Sequence, residues 1–271
     1  TGYAFTPASK AFPSVTANGV QDFIGAVRTF TISGKITGAD GVTVVLSGDK
    51  SETQTVNNGG TYSFTVEYGG NYTVTPLKTG YNFTPASKAF SSVTANGNQD
   101  FAGSKQPFTI SGKITGADGV TVTLSGDKSE TKTVNNGGTY SFTVEYGGNY
   151  TVTPSKTGYA FTPSNKAFQN MTANGTQDFA GTIISYILSG KITGVDGVTV
   201  TLSGDKTEIQ TVNNGSSYSF IVPYGGNYTV TPFKTGYGFT PSSKVFSNVS
   251  TNVSQDFAGG KQPFTLSGKI T

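Results

Sequence analysis

The sequence contains no cysteine, no histidine and no tryptophan, and a single methionine. Each absence removes a class of chemistry. Without Cys or His, the usual zinc, copper, haem and iron–sulfur ligand sets cannot be assembled. The Ser–His and Cys–His nucleophile pairs are excluded on the same ground. No disulfide can staple the fold, so stability must come from packing. No indole is present to stack on a sugar ring. Charge is scarce as well: 12% of residues are charged, and the net +3 is scattered singly over turns and strand faces. No basic stripe points to nucleic acid. No apolar run approaches the roughly 18 residues of a membrane-spanning helix. The first residue is Thr and no signal peptide is visible, so any targeting segment is expected outside this sequence.

What is present is a repeat. Ser33-Gly34-Lys35-Ile36-Thr37 returns at Ser111, Ser189 and Ser267, each time 78 residues on, and Thr1-Gly2-Tyr3 returns at Thr79, Thr157 and Thr235. Phe30–Gly103 and Phe108–Gly181 differ at 10 of 74 positions. A fixed period of this kind means one structural unit copied in tandem. The expected division is the C-terminal part of a preceding repeat (1–27), three full repeats (28–105, 106–183 and 184–261) and the first strand of a following one (262–271). Together the two ends lack everything equivalent to Gly38–Lys78, which reads as a window on a longer array.

Within one repeat the apolar residues alternate. Ile32 and Ile36 share a face against Thr31, Ser33 and Lys35, while Val42, Val44 and Leu46 alternate with Thr43 and Val45. Tyr62, Phe64, Val66 and Tyr68 alternate with Ser63, Thr65 and Glu67. Gly38–Gly41, Ser47–Lys50, Asn57–Gly60 and Gly69-Gly70 separate these runs, and Asn and Gly tolerate the positive φ of tight hairpins. Further apolar positions follow at Tyr72, Val74, Pro76, Tyr81, Phe83, Phe90 and Val93, with a last strand around Gln99–Ala102. No segment has a helical period. About seven short strands at 8–12-residue spacing, each with one apolar face, read as an antiparallel Ig-like β-sandwich. Phe and Tyr, at 12%, supply its core.

The copies test this facing against each other. Val45 becomes Thr123 and Thr201, which marks a solvent-facing position. Glu67 and Glu145 become Pro223, so that backbone N–H belongs to an edge or a strand end. Leu77, Ser155 and Phe233 share one position, expected exposed near a junction. Five-residue linkers (Gly25–Thr29, Gly103–Pro107, Gly181–Ser185) leave neighbours end to end with limited freedom. Inter-repeat contacts are expected from Arg28, Leu77, Lys105 and Phe233. At about 3.3 Å per strand residue, each repeat should add roughly 35–45 Å to a rod.

The remaining chemical signals are weak. Asp40-Gly41 and Asp49 supply one carboxylate per turn, short of a calcium loop, so they read as turn residues. Ser-Gly-Lys-Ile at residue 33 has no glycine five residues before Gly34 and lies in a strand, so it is no phosphate loop. The aromatics read as core rather than as a sugar platform. Sequons such as Asn71, Asn149 and Asn227 matter only in a host that glycosylates secreted proteins.

The ordered runs Gly60-Thr-Tyr-Ser-Phe, Gly70-Asn-Tyr-Thr-Val-Thr-Pro and Gly80-Tyr-Asn-Phe-Thr-Pro resemble carboxypeptidase-regulatory-like repeats and the related Cna-B-like modules. Ser33–Thr37 and Gly41-Val-Thr-Val match the opening strands of that group, and the resemblance covers every full repeat. It implies prealbumin-like seven-stranded sandwiches in stalks of secreted or surface-anchored bacterial proteins, without peptidase activity. It further implies a search for the Lys–Asn isopeptide bond that some such modules carry beside a buried acid. The candidates are Lys35, Lys113 and Lys191 with Asn96, Asn174 and Asn252. Against this, Lys35 and Glu67 both alternate outward and Pro223 replaces the acid; the other reading is a solvated lysine paired with Asp100.

The expected function is a non-catalytic extracellular or cell-surface rod of a bacterium: a fibre, filament or adhesin stalk. Its partners would be neighbouring repeats and other copies, and no cofactor is expected. The alternative is a multivalent module for a glycan or protein ligand.

Overall fold

The computed structural model of the protein describes residues 2–263 and 265–269, and all of its regular structure is β. Packing divides the chain into two compact units. One holds the chain up to Thr109 with Thr143–Asn149 and Gln169–Gly175; the other holds Ile110–Phe142, Tyr150–Phe168 and the chain from Thr176 on.

In the first unit, β1 (Tyr3–Thr6) and β2 (Ile24–Val27) pair antiparallel ahead of a full repeat. That repeat runs β3 (Thr29–Thr37), β4 (Val42–Gly48), β5 (Glu52–Val56), β6 (Thr61–Glu67), β7 (Tyr72–Leu77), β8 (Tyr81–Thr84), β9 (Lys88–Phe90), β10 (Gly97–Asn98) and β11 (Phe101–Lys105). One sheet centres on β3, which is antiparallel to β6 from Thr29↔Glu67 to Lys35↔Thr61. On its other side β3 is parallel to β10 and β11, and β11 continues antiparallel to β8. The second sheet is β5-β4-β7-β9, antiparallel throughout.

Alternation decides which side chains meet between the sheets. β6 buries Tyr62, Phe64 and Val66 and exposes the residues between them. With Ile32, Ile36, Val42, Val44, Leu46, Val74 and Phe101 they form one core, onto which Phe30, Tyr81, Phe83 and Phe90 pack from its margins. The second unit repeats the arrangement with Leu188, Ile192, Val198, Val200, Leu202, Tyr218, Phe220, Val222 and Phe257. Glu67 is the last residue of β6, and Pro223 ends the equivalent strand Ser217–Pro223, where a missing N–H costs no ladder bond.

The sandwich is the one the alternation predicts, with two additions. The short strands β9 and β10 come from a segment without alternation, and the terminal strands of the repeat lie parallel. Pairing between strands so far apart in sequence leaves no trace in local periodicity. Of segment 262–271, Phe264, Ile270 and Thr271 lie outside the described residues, as does Thr1, and 265–269 forms no strand. The strand that pairs with β3, Thr61–Glu67, has no counterpart in this sequence for that segment.

The outer edge of β6 is blocked by side chains. The Gln54 amide donates to the Ser63 carbonyl (2.6 Å) and accepts the Ser63 N–H (3.0 Å), and Lys50 Nζ donates to the Thr65 carbonyl (2.9 Å). Gln210 and Lys206 do the same for Ser219 and Ile221. Filling these groups denies a second strand its template. Lys50 also sits 2.7 Å from Glu52, and that hydrogen bond holds the Glu52 carboxyl below its ordinary range.

Candidate functional site

The junction between repeats recurs along the chain. β11 ends at Lys105 and the next strand, Pro107–Thr115, begins after one residue, Gln106. The Gln106 N–H donates back to the Gly80 carbonyl (2.8 Å), and its carbonyl accepts the Tyr146 N–H (2.9 Å). Arg28 bridges Gly2 and Tyr68 in the same way (2.9 and 2.8 Å), as Ile184 bridges Gly158 and Tyr224 (both 2.8 Å). Gln262 makes the first of these bonds, to Gly236 at 3.0 Å. The bridging side chain is Arg, Gln, Ile or Gln, because only its peptide groups are used.

Each bridge rests on a glycine over a tyrosine ring. A Cβ on Gly80 or Gly158 would fall inside the ring of Tyr146 or Tyr224, and on Gly2 it would crowd Tyr68. Gly80 and Gly158 also hold φ of +77° and +79°, where glycine carries no steric penalty. The rings are fixed from their own repeats: Tyr68 lies against Phe30 with centroids 6.3 Å apart, Tyr146 against Phe108 at 6.4 Å and Tyr224 against Tyr186 at 6.3 Å. In the sequence the Thr-Gly-Tyr recurrence marks only the 78-residue period. Its pairing with a tyrosine some 66 residues away (Gly80 to Tyr146) is a tertiary fact.

Among the residues expected at junctions, Arg28 acts through its backbone. Lys105 Nζ lies 3.5 Å from Glu145 Oε2, an exposed pair of the kind that contributes little. Leu77 and Phe233 stand opposite Thr43 and Thr199 on an outer sheet face, 53% and 64% exposed.

Lys35, Asn96 and Asp100 belong to a different place, the seam between the first and last strands. The Lys35 side chain is exposed, and its backbone N–H, rather than its ammonium, meets Asp100 Oδ1 (2.8 Å). Asn96 Oδ1 accepts the Thr31 N–H (2.9 Å). Lys113 and Lys191 meet Asp178 and Asp256 likewise (both 2.7 Å), and Asn174 and Asn252 accept from Thr109 and Ile187 (both 2.9 Å). Beneath the seam the Tyr62 hydroxyl donates to the Gln99 carbonyl at 2.5 Å. Burial, and then the Asp100 carboxylate, push its pKa well above that of an ordinary phenol.

Protein groups hold the Asp40 turn. Asp40 Oδ1 accepts the Asn58 N–H (3.0 Å), Asn57 and Asn58 accept from Gly41 and Gly38 (2.9 and 2.8 Å), and Lys78 Nζ donates to the Asp40 carbonyl (2.5 Å). Among the described residues no three His, Cys, Asp or Glu gather to hold a metal. No helix among them is long and apolar enough to cross a membrane. An open groove of about 720 Å³ lies beside this turn in the second repeat, lined by Gly119, Thr121, Ser155, Lys156, Tyr159 and Phe161. Lys156 donates to the Asp118 carbonyl and lies over the Tyr159 ring at 5.4 Å. In the first repeat Leu77 takes the place of Ser155, and the groove shrinks to about 480 Å³.

Solved structures share this architecture. The Bacillus anthracis TIE protein superposes with a TM-score of 0.66 at 14% identity, over 89% of this chain and 55% of that one. The chain is a tandem array of β-sandwiches. BcpA, the major pilin subunit of Bacillus cereus, aligns over 87% of the array and all of its own chain, at 9% identity and a TM-score of 0.46, too low for anything to rest on. One repeat of the array, residues 106–184, matches the family model of the second β-sandwich domain of NOMO1-like BOS complex subunits. In sequence the array is 35% identical to chitinase ChiA of Flavobacterium johnsoniae across 91% of its residues, and it spans 17% of that protein's length.

Proposed function

We propose that the array is a structural, non-catalytic rod of a bacterial extracellular or cell-surface protein, holding other parts of that protein apart. The observation that carries this reading is the junction: three bridging residues with unrelated side chains make the same two hydrogen bonds, at 2.8 to 2.9 Å. A spacer requires repeats set one after another at a fixed step, and nothing more of each copy. The likeness to chitinase ChiA supports an accessory role, since a stretch covering 17% of an enzyme leaves ample chain for catalysis elsewhere.

Small-angle scattering tests the reading. The whole chain should behave as an extended particle of roughly 105–135 Å, from three repeats of about 35–45 Å each. Gly80→Ala with Gly158→Ala should shorten and broaden that distribution, because each substitution strikes a neighbour's ring. Both sites also hold a positive φ, so Gly59→Ala, with a similar φ and open space around it, is the control that should leave the distribution unchanged. A compact particle from the unsubstituted chain would sink the proposal.

A second reading rests on the groove of the second repeat, where hydroxyls and two aromatic rings surround one ammonium and no carboxylate. Such a lining suits a neutral oligosaccharide, and the matching relative's name makes chitin oligomers the probe. Titration should shift the amide signals of Ser155, Tyr159 and Phe161, and Ser155→Phe, which copies the third repeat, should abolish the shift. Unmoved signals at millimolar oligomer would rule the groove out.

A further inference from the structure

We propose that each repeat is a mechanical clamp, in which tension along the chain loads the seam between first and last strands in shear. The inference goes beyond the rod, because resistance to load along the chain is set within a repeat, whichever way the repeats are arranged.

The geometry follows from the parallel pairing. Tension reaches the first repeat at the start of β3 and leaves it at the end of β11. These strands are joined side by side in one direction, through Ile32↔Gly97, Ser33↔Asn98, Ile36↔Phe101 and Thr37↔Ala102. Because β3 and β11 run the same way, the incoming and outgoing ends leave the seam in opposite directions along the strand axis. Pulling slides one strand along the other and loads every seam bond together. An antiparallel pair joined at one end would instead open bond by bond. β11 is also tied to β8 over four residue pairs from Ala102↔Thr84 to Lys105↔Tyr81, and β3 to β6 along its length, so neither terminal strand can slip alone.

The seam is reinforced where its ladder is interrupted. Between the two parallel stretches lie Gln99 and Asp100, opposite Gly34 and Lys35, with no change of register. The gap is bridged by Gln99 N–H to the Ser33 carbonyl (2.9 Å), Lys35 N–H to Asp100 Oδ1 (2.8 Å) and the Tyr62 hydroxyl to the Gln99 carbonyl (2.5 Å). Thr31 N–H to Asn96 Oδ1 (2.9 Å) extends the seam toward the incoming end. The third repeat has each of these: Gln255 to Ser189, Lys191 to Asp256, Tyr218 to Gln255 and Ile187 to Asn252. These cross-links lie on the strand pair that end-to-end tension loads, where each adds to the bonds that must break together.

Single-molecule pulling of the full chain tests this, and the absence of native cysteine lets handles be placed at will. Pulled by its ends, the chain should give three force peaks, each releasing up to about 270 Å (78 residues at ~3.5 Å). With handles on Thr29→Cys and Glu67→Cys, which stand opposite each other at one end of the β3–β6 ladder, the first repeat is peeled instead. Its unfolding force should then fall about twofold or more, since hydrogen bonds break singly rather than together. Asn96→Ala with Asp100→Ala should lower one of the three end-to-end peaks and leave the peeling force of the same variant unchanged. Equal forces in the two pulling directions would overturn the proposal, and that comparison uses a chain with its seam intact. So would three unaltered peaks in the double variant.

Discussion

Alanine in place of Gly34, Gly112 and Gly190 together is expected to lower the thermal midpoint of the array by more than about 10 °C. Gly34 is buried in β3 opposite Tyr62, and a Cβ there would fall on the Gln99 carbonyl and crowd the Tyr62 hydroxyl. Gly112 and Gly190 meet Gln177 with Tyr140, and Gln255 with Tyr218, in the same way. Relief requires the last strand to move off the seam, which combines overpacking of about 1–3 kcal/mol with a lost buried hydrogen bond of about 1 kcal/mol. The reduced freedom of the unfolded chain returns less than about 1 kcal/mol. For a domain of this size each kcal/mol moves the midpoint by about 4–8 °C. Substituting all three repeats keeps an intact copy from masking the loss. Gly59→Ala is the control: its Cβ meets nothing, and only its φ of +82° opposes the change, at about 1–2 kcal/mol. A midpoint unchanged in the triple variant would mean that the seam is looser than the structure has it.

The array should also be steeply sensitive to alkali. Tyr62, Tyr140 and Tyr218 each lie under a seam and donate to a backbone carbonyl, and burial, then the neighbouring Asp100, Asp178 or Asp256, raises each pKa above the ordinary phenol value. The folded repeat therefore holds a proton that the unfolded chain releases near pH 10. Stability from these groups is complete below about pH 10 and falls above it, by about 1.4 kcal/mol per pH unit for each tyrosine. Urea midpoints measured from pH 8 to 12 should be level at first and then drop. The drop should be shallower in the triple Tyr→Phe variant, which gives up one hydrogen bond per repeat in exchange. A level profile through pH 12 would contradict the burial of these hydroxyls.

The seam also separates what a linear reading can reach from what it cannot. The 78-residue period, the β class and the inward face of every long strand were legible, because side chains alternate across a strand and the copies show which positions accept a change of polarity. Val45 and Thr123, or Glu67 and Pro223, place themselves in this way. The reading of Lys35 as a solvated lysine paired with Asp100 named two residues that do meet, but through the Lys35 backbone N–H and not its ammonium.

Tertiary structure decided the rest. That Lys35 meets Asp100 through its backbone N–H, and that Asn96 caps Thr31, depends on β3 and β11 lying parallel at a register of 65 residues. No local pattern encodes that pairing. At the junction, sequence drew attention to side chains such as Leu77 and Phe233, which vary between copies. The structure puts the work in peptide groups of Arg28, Gln106 and Ile184, whose side chains vary because they are not used, and in glycines seated over tyrosine rings. A backbone hydrogen bond places no demand on residue type, so a bridge made of such bonds is invisible until the chain is folded.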